Sequence, residues 1–217
     1  MNNPFFATLR NLWGALLLAT VPLMLTACGG AAEPPPLAGA ELGGPFTLTD
    51  QDGKKVSDRD FAGRYRLIYF GYTFCPDICP VDVQNIMKGM KDLAKKDPEL
   101  AAKIQPIFIS IDPARDTPAA LKTYTNAFPG LIALTGSEAE IATIAKSFAI
   151  YYKKIPPKQD AKDTRSPAQF EADEKNNYLM DHSRMATLFG PDGRPLALIT
   201  QDKGAGPLVA DLERWAR

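Results

Sequence analysis

The chain has a single histidine, His182, and three cysteines, Cys28, Cys75 and Cys79, in 217 residues. Any imidazole chemistry therefore rests on one residue, and any thiol chemistry on very few. An excess of either charge is also missing, since 25 Lys plus Arg balance 25 Asp plus Glu. That balance gives no electrostatic footprint for nucleic acid and no polybasic patch for a membrane surface, so partners must be met through a site. Internal repeats are absent. With 45% apolar residues, the length suits one well-buried domain rather than two.

Long hydrophobic runs are lacking too. The apolar stretch Leu12 to Met24 follows Arg10 and ends too soon for a membrane span. It leads into Leu25-Thr26-Ala27-Cys28, which resembles a bacterial lipobox, where the signal is cut before a cysteine that then carries a diacylglycerol. On this reading residues 1–27 are a lipoprotein signal peptide, Cys28 is lipidated, 28–42 form a flexible tether containing Pro34-Pro35-Pro36, and 43–217 form the domain. The alternative is a secretory leader or uncleaved anchor that happens to contain a cysteine. Either way the domain is exported, and a lipidated Cys28 leaves Cys75 and Cys79 as its free thiols.

Along the domain, Phe46–Thr49 and Lys54–Val56 alternate around Asp50-Gln51-Asp52-Gly53, which predicts a β-hairpin. Ser57–Phe61 reads as a helical turn. Tyr65–Phe70 is nearly continuously apolar, as a strand covered on both faces should be. Val83, Ile86, Met87, Met90 and Leu93 recur at helical spacing, predicting a helix from Cys79 to about Lys96. Ile104–Ile111 is a second buried strand, with Pro106 acceptable near its start or on an edge. Thr117-Pro118 caps a helix expected to reach Phe128. Leu131–Leu134 is a strand, and Ser137 to Glu140 form a capping box for the next helix. Ala149–Tyr152 reads as a short strand, and residues 153–177, rich in Lys, Asp and Pro, as a mobile solvated loop. Arg184–Phe189 and Leu196–Thr200 flank Pro191-Asp192-Gly193-Arg194 as a second hairpin, and Leu208–Trp215 closes as a helix. The order implies an α/β fold, a thioredoxin-like layer sandwich with a mixed central sheet and an added N-terminal hairpin.

The chemistry concentrates in Phe74-Cys75-Pro76-Asp77-Ile78-Cys79-Pro80, where a strand hands over to a helix. On a helix, Cα atoms at i and i+4 lie roughly 6 Å apart, within disulfide reach. The two sulfurs can equally point at one ion. A helix start stabilises thiolate, the form that attacks disulfides and binds metal. Pro76 suits the first helical turn, and Pro80 removes a further amide, which predicts distortion there. Two thiolates and the imidazole of His182 make a poor magnesium or calcium site and a good one for Cu(I), with Zn(II) wanting a fourth ligand. A purely structural disulfide is the bland alternative, awkward for a pair that closes almost no loop. A lone histidine is often a hydrogen-bonded bystander. Here it precedes a strand where thioredoxin-type folds put a cis-proline facing the dithiol, and Tyr178–Met185 contains no proline.

Three ordered motifs, Gly71-Tyr72-Thr73-Phe74-Cys75-Pro76-Asp77-Ile78-Cys79-Pro80, Ser110-Ile111-Asp112-Pro113-Ala114-Arg115-Asp116-Thr117-Pro118, and Asp181-His182-Ser183 followed by Gly190-Pro191-Asp192-Gly193, resemble the signatures of the Sco family, also called SenC. The resemblance implies a thioredoxin-like fold, copper held by Cys75, Cys79 and His182, and a role in building the Cu-A centre of cytochrome c oxidase subunit II. It also implies thiol-disulfide chemistry on that target, with a thioredoxin-like reductant and a copper donor as further partners. Segment 153–177 is longer and more charged than the family's usual connection. Asp77 and Asp112 are candidate supporting groups around the dithiol, Arg115 and Asp116 are expected to tie down a turn, and Met180 and Met185 are soft donors or packing. Tyr69, Tyr72 and Phe74 are expected to wall the site.

Overall fold

A computed structural model describes residues 33–157 and 164–216. Its centre is the pair of apolar runs read as buried strands. Tyr65–Gly71 (β3) and Ile104–Ser110 (β4) are buried at every position and run parallel, with Leu67 opposite Pro106 and Gly71 opposite Ser110. Burial on both faces is what a near-continuous apolar strand requires. Pro106 fits because the ladder to Ile132–Thr135 (β5) registers only from Ile107, so β4 is locally an edge where its missing N–H falls.

The N-terminal hairpin, Thr47–Asp50 (β1) and Lys55–Ser57 (β2), joins the same sheet through β5. Ala186–Phe189 (β8) and Pro195–Ile199 (β9) extend the other side antiparallel. The order is β2-β1-β5-β4-β3-β8-β9, a seven-stranded mixed sheet. A short 3-10 turn at Asp58–Phe61 carries a capping box from Ser57 and Asp60.

Helix Ile78–Lys96 (α1) buries Val83, Ile86, Met90 and Leu93 of the stripe read from the sequence, leaves Met87 half-buried against the core, and adds Cys79 and Asp82 to the buried face. Gly89 lets Ala205–Trp215 (α6) approach, since a Cβ there would stand 2.4 Å from Leu208 Cδ2. Pro98–Lys103 (α2) follows α1 and is capped by Asp97. Pro118–Thr125 (α3), capped by Thr117, stops three residues short of Phe128, where the chain turns. Glu138–Ser147 (α4) begins with the expected box at Ser137 and Glu140.

Two expectations are corrected between 149 and 182. Ala149 has φ +52° and belongs to no strand; the strand is Tyr152–Ile155 (β6), pushed forward by that left-handed residue. The segment read as a solvated loop contains helix Pro167–Asn176 (α5), with Ser166 and Gln169 closing a capping box around Pro167. It then leads into Leu179–His182 (β7), which pairs antiparallel with β6 as a separate two-stranded ribbon. Cys28 lies outside the described residues. Within the segment read as a tether, the Leu37 N–H donates to the Leu196 carbonyl. No described helix is long and apolar enough to cross a membrane.

Candidate metal and redox centre

The dithiol lies at the carboxyl ends of the parallel strands β3 and β4, where open α/β sheets place their sites. The turn before it is clamped by Asp116, which is fully buried. Its carboxylate accepts from the Thr73 hydroxyl at 2.5 Å, the Thr73 N–H at 3.1 Å and the Ser110 hydroxyl at 2.6 Å. Burial raises the Asp116 carboxyl above the ordinary range, opposed by those hydrogen bonds.

Pro76 falls outside the helix, ahead of the N-cap Asp77, whose backbone at φ −135° and ψ −73° is the irregular point. The expected distortion therefore sits upstream of the first turn. Pro80 lies within that turn and costs no bond, because the first amides of a helix have no partner inside it. Asp77 is exposed and caps nothing with its side chain; its contribution is a backbone N–H directed at Cys75.

The two sulfurs differ sharply. Cys75 is half-buried, accepts the Cys79 N–H at 3.4 Å, and is drawn down to about 4 by its hydrogen bond with the Cys79 thiol and by the Cys79, Asp77 and Ile78 amides. Cys79 is fully buried, and its pKa is pushed up by the same bond to Cys75 and by desolvation. Cys75 is thus the thiolate and Cys79 the proton-bearing partner.

His182 ends β7 with Nε2 3.2 Å from Cys79 Sγ. Its Nδ1 lies 2.8 Å from the Ser183 carbonyl, which can only accept. The ring proton therefore sits on Nδ1, and the Nε2 lone pair faces the sulfur, the arrangement common in metal-ligating histidines. Tyr69 and Tyr72 meet the imidazole edge-on, with centroids 6.5 and 6.0 Å away. Burial first, and the neighbouring thiols after it, push both phenols up, Tyr72 to about 12.

Cys79 thus touches both Cys75 and His182. Among the described residues, no three His, Cys, Asp or Glu side chains are already gathered as a ready metal cage. The donor types fit a soft cation.

Sequence reasoning missed Asp82, which is wholly buried one turn after Cys79. It accepts from the Tyr69 hydroxyl at 2.9 Å and from Arg184 Nε and Nη2 at 3.1 and 2.9 Å. Arg184 follows His182 by two residues, so the pair joins the dithiol helix to the histidine segment. An acid on the apolar face of a helix was the available signal. Asp112, the other expected supporting residue, is buried but bonds Arg115 and Tyr178. Met180 packs against the core and Met185 is exposed.

A family model described as SCO1/SenC matches residues 35–217. The chain belongs to the SCO1/SenC family. Human Protein SCO1 homolog, mitochondrial, is 36% identical over 179 residues, which cover 81% of this chain and 53% of that protein. This Sco chain spans about half the length of the curated relatives it matches. Bradyrhizobium japonicum ScoI, solved with copper bound, is 39% identical with a TM-score of 0.65, over 80% of this chain and 99% of that one. BsSco, described by a disulfide switch and as a member of the Sco family of cytochrome c oxidase assembly proteins, is 25% identical with a TM-score of 0.58, over 84% and 96%. The thioredoxin-like sandwich expected from the element order is the Sco fold observed here.

Proposed function

We propose that this chain carries copper as cargo and passes it to a copper acceptor during cytochrome c oxidase assembly, with Cys75, Cys79 and His182 as ligands. The observation that carries the reading is the Nε2 lone pair of His182, aimed at Cys79 Sγ from 3.2 Å while Nδ1 is occupied by a carbonyl. Two sulfurs and one imidazole suit Cu(I) and disfavour hard cations. The copper-bound state of the similar ScoI supports the choice of metal. Cys75, more exposed than Cys79, is the ligand an incoming donor meets first, so transfer proceeds by exchange at that sulfur.

The finer reading places the acceptor at the Cu-A site of subunit II, with a copper donor protein and a thioredoxin-like reductant upstream and no nucleic-acid partner. Lipidated Cys28 would hold the domain at the periplasmic face of a membrane; the lipobox-like Leu25-Thr26-Ala27-Cys28 supports this. Anaerobic Cu(I) titration of the reduced domain should give one equivalent. Cys79→Ala should remove it and His182→Ala should leave weaker, two-sulfur binding; no uptake by the unaltered protein overturns the reading.

A second reading is favoured by the asymmetry of the sulfurs. As a reductant, the Cys75 thiolate attacks a partner disulfide, forming a mixed disulfide and expelling one partner thiolate. Cys79 then gives up its proton and attacks Cys75 sulfur, releasing the second thiolate; two electrons pass to the partner and Cys75–Cys79 becomes the disulfide. His182 Nε2 stands 3.2 Å from Cys79 Sγ and can take that thiol's proton, so His182→Ala should leave attack by Cys75 intact and slow only the resolving step.

A further inference from the structure

His182 and the dithiol are carried by different sheets, the imidazole on β7 and the sulfurs on the turn and helix that follow β3. Among the described residues the β6–β7 ribbon shares no ladder with the seven-stranded sheet that delivers Cys75 and Cys79, so the gap between imidazole and sulfur depends on side chains that bridge the two. Arg115 is such a bridge. Its guanidinium lies over the rings of Tyr178 at 3.6 Å, Phe74 at 4.9 Å and Tyr72 at 5.7 Å. Phe74 precedes Cys75, and Tyr178 opens the segment that ends in His182.

The hydrogen bonds follow the same division. Nη1 donates to the Tyr178 and Asn176 carbonyls at 3.0 and 3.2 Å, holding the entry to β7. Nε donates to Asp112 at 2.5 Å, and the other Asp112 oxygen accepts the Tyr178 hydroxyl at 2.5 Å. The Arg115 side chain is 12% exposed and its Nη2 is buried with no partner. A turn-tying arginine could leave that nitrogen in water, so burying it is a cost that the stacked position must offset. Tyr178 directly precedes β7, whose four residues all pair with β6 and end at His182, roughly 13 Å from Tyr178, so a shift at Tyr178 carries to the imidazole.

We propose that Arg115 is a positioning residue that sets the spacing between the dithiol and His182, and thereby decides whether the imidazole joins the thiolates on copper. The proposal rests on the copper reading above. Lysine at this position would keep the charge but lose the planar fork and the stacking.

The test uses the reduced protein with Arg115→Ala, Arg115→Lys and His182→Ala beside it. In the metal-free state, the NMR cross-peak between the His182 and Tyr72 rings should vanish in Arg115→Ala and weaken in Arg115→Lys, while cross-peaks between β3 and β4 persist. With one equivalent of Cu(I), X-ray absorption should show the Cu–N contribution lost in Arg115→Ala as in His182→Ala. Competition against a colorimetric Cu(I) chelator should show affinity lowered about 10–100-fold. Retention of the ring cross-peak and the Cu–N signal in Arg115→Ala overturns the proposal. An unaltered protein with the cross-peak but no Cu–N signal overturns His182 as a ligand instead, leaving the cross-peak to judge the positioning role. Should Arg115→Ala fail to fold, Arg115→Lys and Tyr178→Phe carry both readouts, and an unchanged cross-peak in both overturns the proposal.

Discussion

β3 and β4 are buried at every residue and paired on both sides, whereas β6 and β7 form an isolated ribbon with an exposed residue at most positions. The first region carries the thiols and the second carries the imidazole. Hydrophobic burial fixes the strand beneath the sulfurs with many weak contacts that no single change removes. The ribbon packs only Tyr152 and Met180 against the core and is otherwise tied to the body by polar links, Arg115 and Tyr178 at its entry and Arg184 to Asp82 just beyond His182. Three candidate ligands with such different supports are not held equally: the imidazole can shift with the ribbon while the sulfurs stay with the core.

The comparison can be broken most severely from the core side. Phe108→Ala, near the centre of β4 with no exposed surface, should cost about 3–5 kcal/mol in urea unfolding. Next comes Asp82→Ala, which strands the Tyr69 hydroxyl and unpairs Arg184. Because Arg184 is 42% exposed and can turn to water, about 2–3 kcal/mol is expected, below the full cost of a dry pair. Its sharper signature is amide hydrogen exchange, which should rise across β6 and β7 and stay unchanged in β3; uniform acceleration would contradict the division.

Within the dithiol, pH separates the two sulfurs. The folded pKa of Cys75 lies below the ordinary value of about 8.5, so its thiolate persists as pH falls and is lost only near 4. Iodoacetamide should modify Cys75 at similar rates at pH 7 and pH 5, where an ordinary thiol slows about tenfold per unit, and should leave Cys79 unmodified. The smallest effect is expected at Leu179, 47% exposed on the ribbon: Leu179→Ala should shift stability by less than about 0.5 kcal/mol.

The sequence revealed the core and its chemistry much better than the ribbon, for physical reasons. The runs Tyr65–Phe70 and Ile104–Ile111, the stripe along α1 and the box at Ser137 and Glu140 are local patterns that burial and capping enforce within a few residues. Segment 153–177 lacks an apolar face, so period-based reading saw a loop, although Ser166-Pro167-Ala168-Gln169 carries the same start signal as Ser137 to Glu140. Tyr152–Ile155 is a strand through pairing with β7, a long-range event that composition does not encode. Cys75, Cys79 and His182 were legible as donor types, and the contact of Cys79 with His182 agrees with grouping them. The links among Arg115, Tyr178 and Asp112, and between Asp82 and Arg184, join residues far apart in the chain and become visible only in three dimensions.

The amides gathered around Cys75 sulfur carry one further consequence. They favour a negative sulfur, and a disulfide has no such charge to offer them. Stabilising the reduced form in this way raises the reduction potential of the pair, so its disulfide readily accepts electrons from a milder donor than a strained staple or a buried structural bridge would need. The start of α1 thus acts as a bias toward the open, dithiol state, in which both sulfurs remain free to react.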